Sequence, residues 1–95
     1  MKSSELLKWL QEEFPQLHWY KQVVFGSDYF ATFKGKSRIY VKPLKSNAGF
    51  GIMFENVDFG FNDAVNTLEE LKTKIVECIR QIDTKLLKDY QPSLM

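Results

Sequence analysis

Apolar residues in 67–87 include Leu68, Leu71, Ile75, Cys78, Ile79, Ile82 and Leu86. Steps of mostly three and four place them on one face of a helix. Thr67-Leu68-Glu69-Glu70 reads as a capping box that starts it. There the Thr67 hydroxyl can accept from the Glu70 N–H, and the Glu70 side chain can reach back. At ~1.5 Å per residue the stretch gives a rod of roughly 30 Å, the width of a small domain. A second helical stripe, Leu6, Leu7, Leu10 and Phe14 with Trp9 at its edge, predicts a helix over 4–14. Ser3 or Ser4 can cap it, Glu5 suits its first turn, and Pro15 stops it. It is too short to stand alone and must dock.

The period then changes to two. In 17–25, His18, Tyr20, Gln22 and Val24 alternate with Trp19, Lys21, Val23 and Phe25, which predicts a strand ended by a Gly26-Ser27-Asp28 turn. Residues 29–34 and 37–42 read as a hairpin, because Gly35-Lys36 suits a type II′ turn. That turn sets Phe33 opposite Arg38, Thr32 opposite Ile39, Ala31 opposite Tyr40 and Phe30 opposite Val41. Opposed residues share a face. Phe30, Thr32, Ile39 and Val41 are then the core side, while Tyr29, Ala31, Phe33, Arg38, Tyr40 and Lys42 form the outer side. Pro43 ends or edges the strand, and 44–49 is a polar loop. A fourth strand is expected over 50–55, where Gly51 suggests a bulge or a close neighbour. Residues 56–66 carry Val57, Phe59 and Phe61 at period two before turning polar, which fits an extension of that strand or an ordered loop.

The expected fold is therefore α+β: a single small domain over 1–95 in the order α-β-β-β-β-α. Short connections favour an antiparallel four-stranded meander, with the N- and C-terminal helices packed on one face. Residues 1–3 and 89–95 are expected to fray. The long helix has three heptads, enough to consider a coiled coil, so the chain is read as a monomer or a homodimer through helix 67–87.

Composition adds limits. Of 95 residues, 44% are hydrophobic and 26% charged, ordinary for a globular protein that can fold without staples. Cys78 is the sole cysteine, so no internal disulfide forms, and its place on the helix stripe makes it a small buried hydrophobe. The start Met1-Lys2-Ser3-Ser4-Glu5 lacks a signal-type apolar region, and no run approaches membrane-spanning length. A cytoplasmic protein with no membrane association is expected.

Catalytic constellations are thin. His18 and Cys78 lie on different elements with no zinc spacing. Asp58-Phe59-Gly60-Phe61-Asn62-Asp63 is rich in oxygen but lacks the spacing of a calcium loop. Asp58-Phe59-Gly60 also spells a kinase magnesium motif, without the other parts a kinase needs. Ser27, Ser37 and Ser46 sit in turns, and Gly49-Phe50-Gly51 leads into a strand rather than a helix. No enzymatic activity, cofactor or metal is expected.

Charge distribution points to the hairpin. Lys21, Lys34, Lys36, Arg38, Lys42 and Lys45 lie between His18 and Gly49 against Asp28 alone, and both ends of the chain are acidic. Flat rings beside cations on an open sheet suit a partner protein or single-stranded nucleic acid. The element order resembles that of double-stranded RNA-binding domains. Those carry lysines where the last helix begins, and here the position reads Thr67-Leu68-Glu69-Glu70, which would repel phosphate. The expected function is a non-catalytic module that binds a partner protein through an aromatic and basic sheet face and the aromatic stretch 50–61. The alternative is a nucleic-acid-binding domain using hairpin 29–42. Between them, the candidate binding residues are Tyr29, Phe33, Lys34, Lys36, Arg38, Tyr40, Lys42, Lys45 and Phe61.

Overall fold

Turn chemistry organises the sheet. In the computed structural model, which describes residues 2–44, 49–56 and 60–82, the elements are α1 (Ser3–Glu13), β1 (Tyr20–Val24), β2 (Ser27–Lys34), β3 (Ser37–Pro43), β4 (Phe50–Glu55), β5 (Gly60–Val65) and α2 (Leu68–Ile82). Gly35 alone of its turn pair has positive φ, at 59°, as a type II′ turn requires. It sets the expected register, Phe30 to Val41 through Lys34 to Ser37.

The sheet is an antiparallel meander in the order β1-β2-β3-β4-β5, with five strands rather than four. The added strand is β5, which pairs Phe50 with Val65 through Glu55 with Gly60. Asn62 and Asp63 are poor strand formers, and local propensity hid it. Pairing with β4 overrides that preference: Phe61 stands opposite Phe54, and their rings lie 5.9 Å apart. No bulge marks Gly51, since it pairs in step with Lys42 on one side and Ala64 on the other. The first turn also differs. Phe25 and Gly26 form it, both at positive φ, and Ser27 and Asp28 already belong to β2. Gly49 closes the β3–β4 connection at φ +99°, where a Cβ would collide with the Val65 carbonyl.

Both helices cover one face. Leu6, Leu10 and Phe14 meet Phe30, Ile39, Val41, Phe50, Ile52 and Phe54 from the sheet, and Leu71, Ile75, Cys78 and Ile79 complete the core. α1 lies against β3, and α2 lies across β3, β4 and β5. The helices are joined at their rims by Lys72 Nζ to Glu13 at 2.8 Å. α2 begins as expected: Thr67 Oγ1 accepts from the Glu70 N–H at 3.1 Å, and the hydroxyl lies 3.2 Å from Glu70 Oε1. α1 departs from expectation, because Ser3 is its first helical residue and Lys2, with no side-chain cap bond, is its N-cap. Expectations for Met1 and for 83–95 lie outside the described residues. Leu71, Ile75 and Ile79 are fully buried, so self-association through helix 67–87 would have to use another side of α2. No helix among the described residues is long and apolar enough to cross a membrane.

Candidate functional site

The face of the sheet opposite the helices is open, and register decides what stands on it. Its central row runs Tyr20, Ala31, Tyr40, Met53, Asn62 across β1 to β5. A neighbouring row runs Phe33, Arg38, Glu55, Gly60 across β2 to β5. On the other side of the central row Gln22 is opposite Tyr29, and Lys42, Gly51 and Ala64 stand in line.

Rings join along the first three strands. His18 stacks on Tyr20 at 6.4 Å, Tyr20 meets Phe33 at 6.2 Å, and Phe33 meets Tyr40 edge-on at 6.2 Å and 85°. Ala31 stands between the Tyr20 and Tyr40 positions and is fully buried although it belongs to the open face. Each ring pair of this geometry contributes ~0.5–1.5 kcal/mol beyond area burial. Their outer surfaces stay in water: Tyr20 is 53% exposed and Phe33 43%.

Two cations share the face. Arg38 Nη1 is 3.5 Å from Glu55 Oε2, across the β3–β4 ladder. A hydrogen bond with Tyr40, and less strongly the Glu55 charge, raise the guanidinium further above its ordinary value. Lys42 Nζ lies 5.1 Å from the centre of the Tyr29 ring. Among the described residues it makes no carboxylate ion pair.

Beyond Tyr40 the surface drops. The outward positions of β4 and β5 include Gly51, Gly60 and Ala64, which have little or no side chain. Here lies a hollow of about 190 Å³ lined by Tyr29, Tyr40, Lys42, Gly51, Met53 and Asn62. A larger open depression of about 490 Å³ lies at the β2–β3 turn between Gly35, Lys36, Arg38, Glu55 and Asn56.

Tyr29, Phe33, Arg38, Tyr40 and Lys42 are therefore brought together as the hairpin register implies. Lys34 and Lys36 are not part of that face. Lys34 has the parity of Thr32, on the helix side, and Lys36 is in the turn; both are exposed. Phe61 stands on the other face of the sheet. It packs against the core beside Phe54, under Lys74 Nζ at 5.8 Å, because β5 pairs with β4 in a register that turns it toward α2. Phe50 and Phe54 are core residues too, so neither ring lines the open face, and Phe59 lies outside the described residues. Lys45 lies outside the described residues.

Tyr20, His18, Gly51, Met53 and Asn62 join the surface although the sequence named none of them as a binding residue. Their signal was the Phe25-Gly26 turn, which sets the side of Tyr20, and the β4 alternation, which turns Gly51 and Met53 outward. Comparison with protein-family models, with curated proteins and with solved structures finds no match for this chain.

Proposed function

We propose that this is a non-catalytic interaction module whose open sheet face receives a partner protein. The observation that carries the reading is the joined row of His18, Tyr20, Phe33 and Tyr40 on the side the helices leave bare, with His18, Tyr20 and Phe33 exposed and Tyr40 half-buried. A contiguous apolar surface in contact with water raises the free energy of the isolated chain, and covering it recovers ~25 cal/mol per Å². Aromatic residues and arginine are the usual anchors of such contacts.

Nucleic acid is the alternative, and the charge pattern supports it less. Bases could stack on the rings, but phosphates need cations aligned beside them. Lys34 and Lys36 sit away from the rings, and Arg38 is engaged by Glu55. Lys42 is left as the cation on the face with no carboxylate partner among the described residues.

Affinity capture from the protein's own cell extract tests the reading, comparing wild type with Tyr20→Ser/Phe33→Ser. Both positions are about half exposed, and the variant is used for capture once its amide spectrum matches the native one. Wild type should retain a specific protein that the variant loses. Identical captures, or none, would remove the proposal. Binding of a single-stranded oligonucleotide that weakens steeply with salt would favour the alternative.

A further inference from the structure

Gly51 is placed where a strand gains nothing from glycine. It lies inside β4 with unbroken pairing on both sides. It is not among the positive-φ residues, so its backbone does not demand glycine. A Cβ there would meet Lys42 Cγ at 3.4 Å and Leu44 Cδ2 at 3.5 Å, contacts that flexible side chains accommodate. Glycine inside a strand weakens it, and where neither bulge nor turn explains the residue, a common reason for it is close approach by a ligand or another stretch of backbone. The absent side chain opens the hollow of about 190 Å³ beside Tyr40.

We propose that this hollow seats one aromatic side chain of the partner protein, carried next to a carboxylate that Lys42 receives. The inference rests on the protein-binding reading and names the group recognised. Size supports it: a cavity of about 150 Å³ accommodates a benzene ring. The walls supply the matching chemistry. Tyr40 and Tyr29 offer ring faces and edges, and Met53 offers a thioether that packs well on aromatics. Asn62 on the far side can donate or accept a hydrogen bond. The charge term comes from Lys42, held over Tyr29 and without a carboxylate among the described residues, whereas the face's other cation, Arg38, has Glu55. A lone lysine at the surface selects weakly. Joined to a ring-sized hollow, it distinguishes an acidic aromatic pair from a neutral one.

The probe is the blocked dipeptide acetyl-Phe-Asp-amide, titrated into ¹⁵N-labelled protein and followed by backbone amide shifts. Saturable shifts should centre on Gly51, Met53 and Asn62. The acetyl-Phe-Asn-amide control should bind at least about threefold more weakly, the size expected of one exposed charge pair. Lys42→Gln should bring the two dipeptides to equal affinity, and Gly51→Val should abolish the shifts. Should Gly51→Val lose its native amide spectrum, Lys42→Gln decides alone. Absent shifts, shifts centred elsewhere, equal binding of the two dipeptides to wild type, or tighter binding of adenosine 5′-monophosphate at the same amides would overturn the proposal. Partner capture separates the two levels. Loss with Tyr20→Ser/Phe33→Ser but not with Gly51→Val sinks the hollow and keeps the surface. Unchanged capture with both sinks the surface itself.

Discussion

Asp63 of β5 and Lys74 of α2 face each other at 3.2 Å, where the edge of the sheet meets the long helix. Asp63 Oδ1 also accepts from the Ala64 N–H at 2.8 Å. The Ala64 bond, and then Lys74, hold the Asp63 carboxyl below its ordinary value near 3.8. Lys74 is correspondingly held above its ordinary value, first by Asp63 and then by Glu77. A carboxyl with a depressed folded value adds stability that is complete above the unfolded value and fades as pH falls through the folded one. The urea midpoint of wild type should therefore exceed that of Asp63→Asn by a constant margin from about pH 5 to 7, and the margin should narrow as pH falls below the ordinary carboxyl value near 3.8. A gap that persists unchanged in acid would refute this.

Phe25 is fully exposed at φ 50°, followed by Gly26 at φ 77°. A bulky residue in the left-handed region is strained by about 1–2 kcal/mol, whereas asparagine visits it readily and Asn-Gly is the preferred pair for this turn. Phe25→Asn should raise stability by about 0.5–1 kcal/mol in urea unfolding. No gain, or a loss, would mean that the Phe25 ring makes contacts in solution that outweigh the strain.

Thr67 caps α2 through the Glu70 N–H. Removing the hydroxyl in Thr67→Ala should destabilise by about 1 kcal/mol, and Thr67→Ser by much less. Equal losses in the two variants would assign the effect to the methyl group rather than the cap.

Cys78 is buried among the core residues of α2, and burial, assisted by Glu77, pushes its thiol up to about 12. The thiolate is the reactive form, so the native protein should resist a disulfide reagent at about pH 8. Modification should accelerate with denaturant in step with unfolding. Rapid native-state labelling would contradict the burial.

The hairpin was legible because Gly35 fixes its turn and the alternation of Phe30, Thr32, Ile39 and Val41 fixes its faces. Both signals are local, and the observed pairs match them. The long helix was legible from Thr67 and the stripe through Ile79 for the same reason. The side taken by Tyr20 was not. It depends on whether the turn that follows β1 uses Phe25-Gly26 or Gly26-Ser27-Asp28, and a one-residue shift reverses the face. Phenylalanine in a left-handed position conceals the turn. Of the candidate site, the ring and cation content of β2 and β3 could be read directly. Phe61 could not, because its orientation follows from pairing with β4 rather than from its own neighbours.

By itself, then, the sequence determined the local periods: two amphipathic helices, a hairpin of fixed register, a fourth strand, and a set of rings and cations on one side of β2 and β3. Only the tertiary structure decided that 60–65 becomes a fifth strand, that Phe61 turns inward, and that Gly51, Met53 and Asn62 create a hollow beside Tyr40. The physical reason is the range of the forces. Turn strain and side-chain period act within a few residues. Which segments pair, and which sheet face the helices shield, depends on burying a shared core from both ends of the chain.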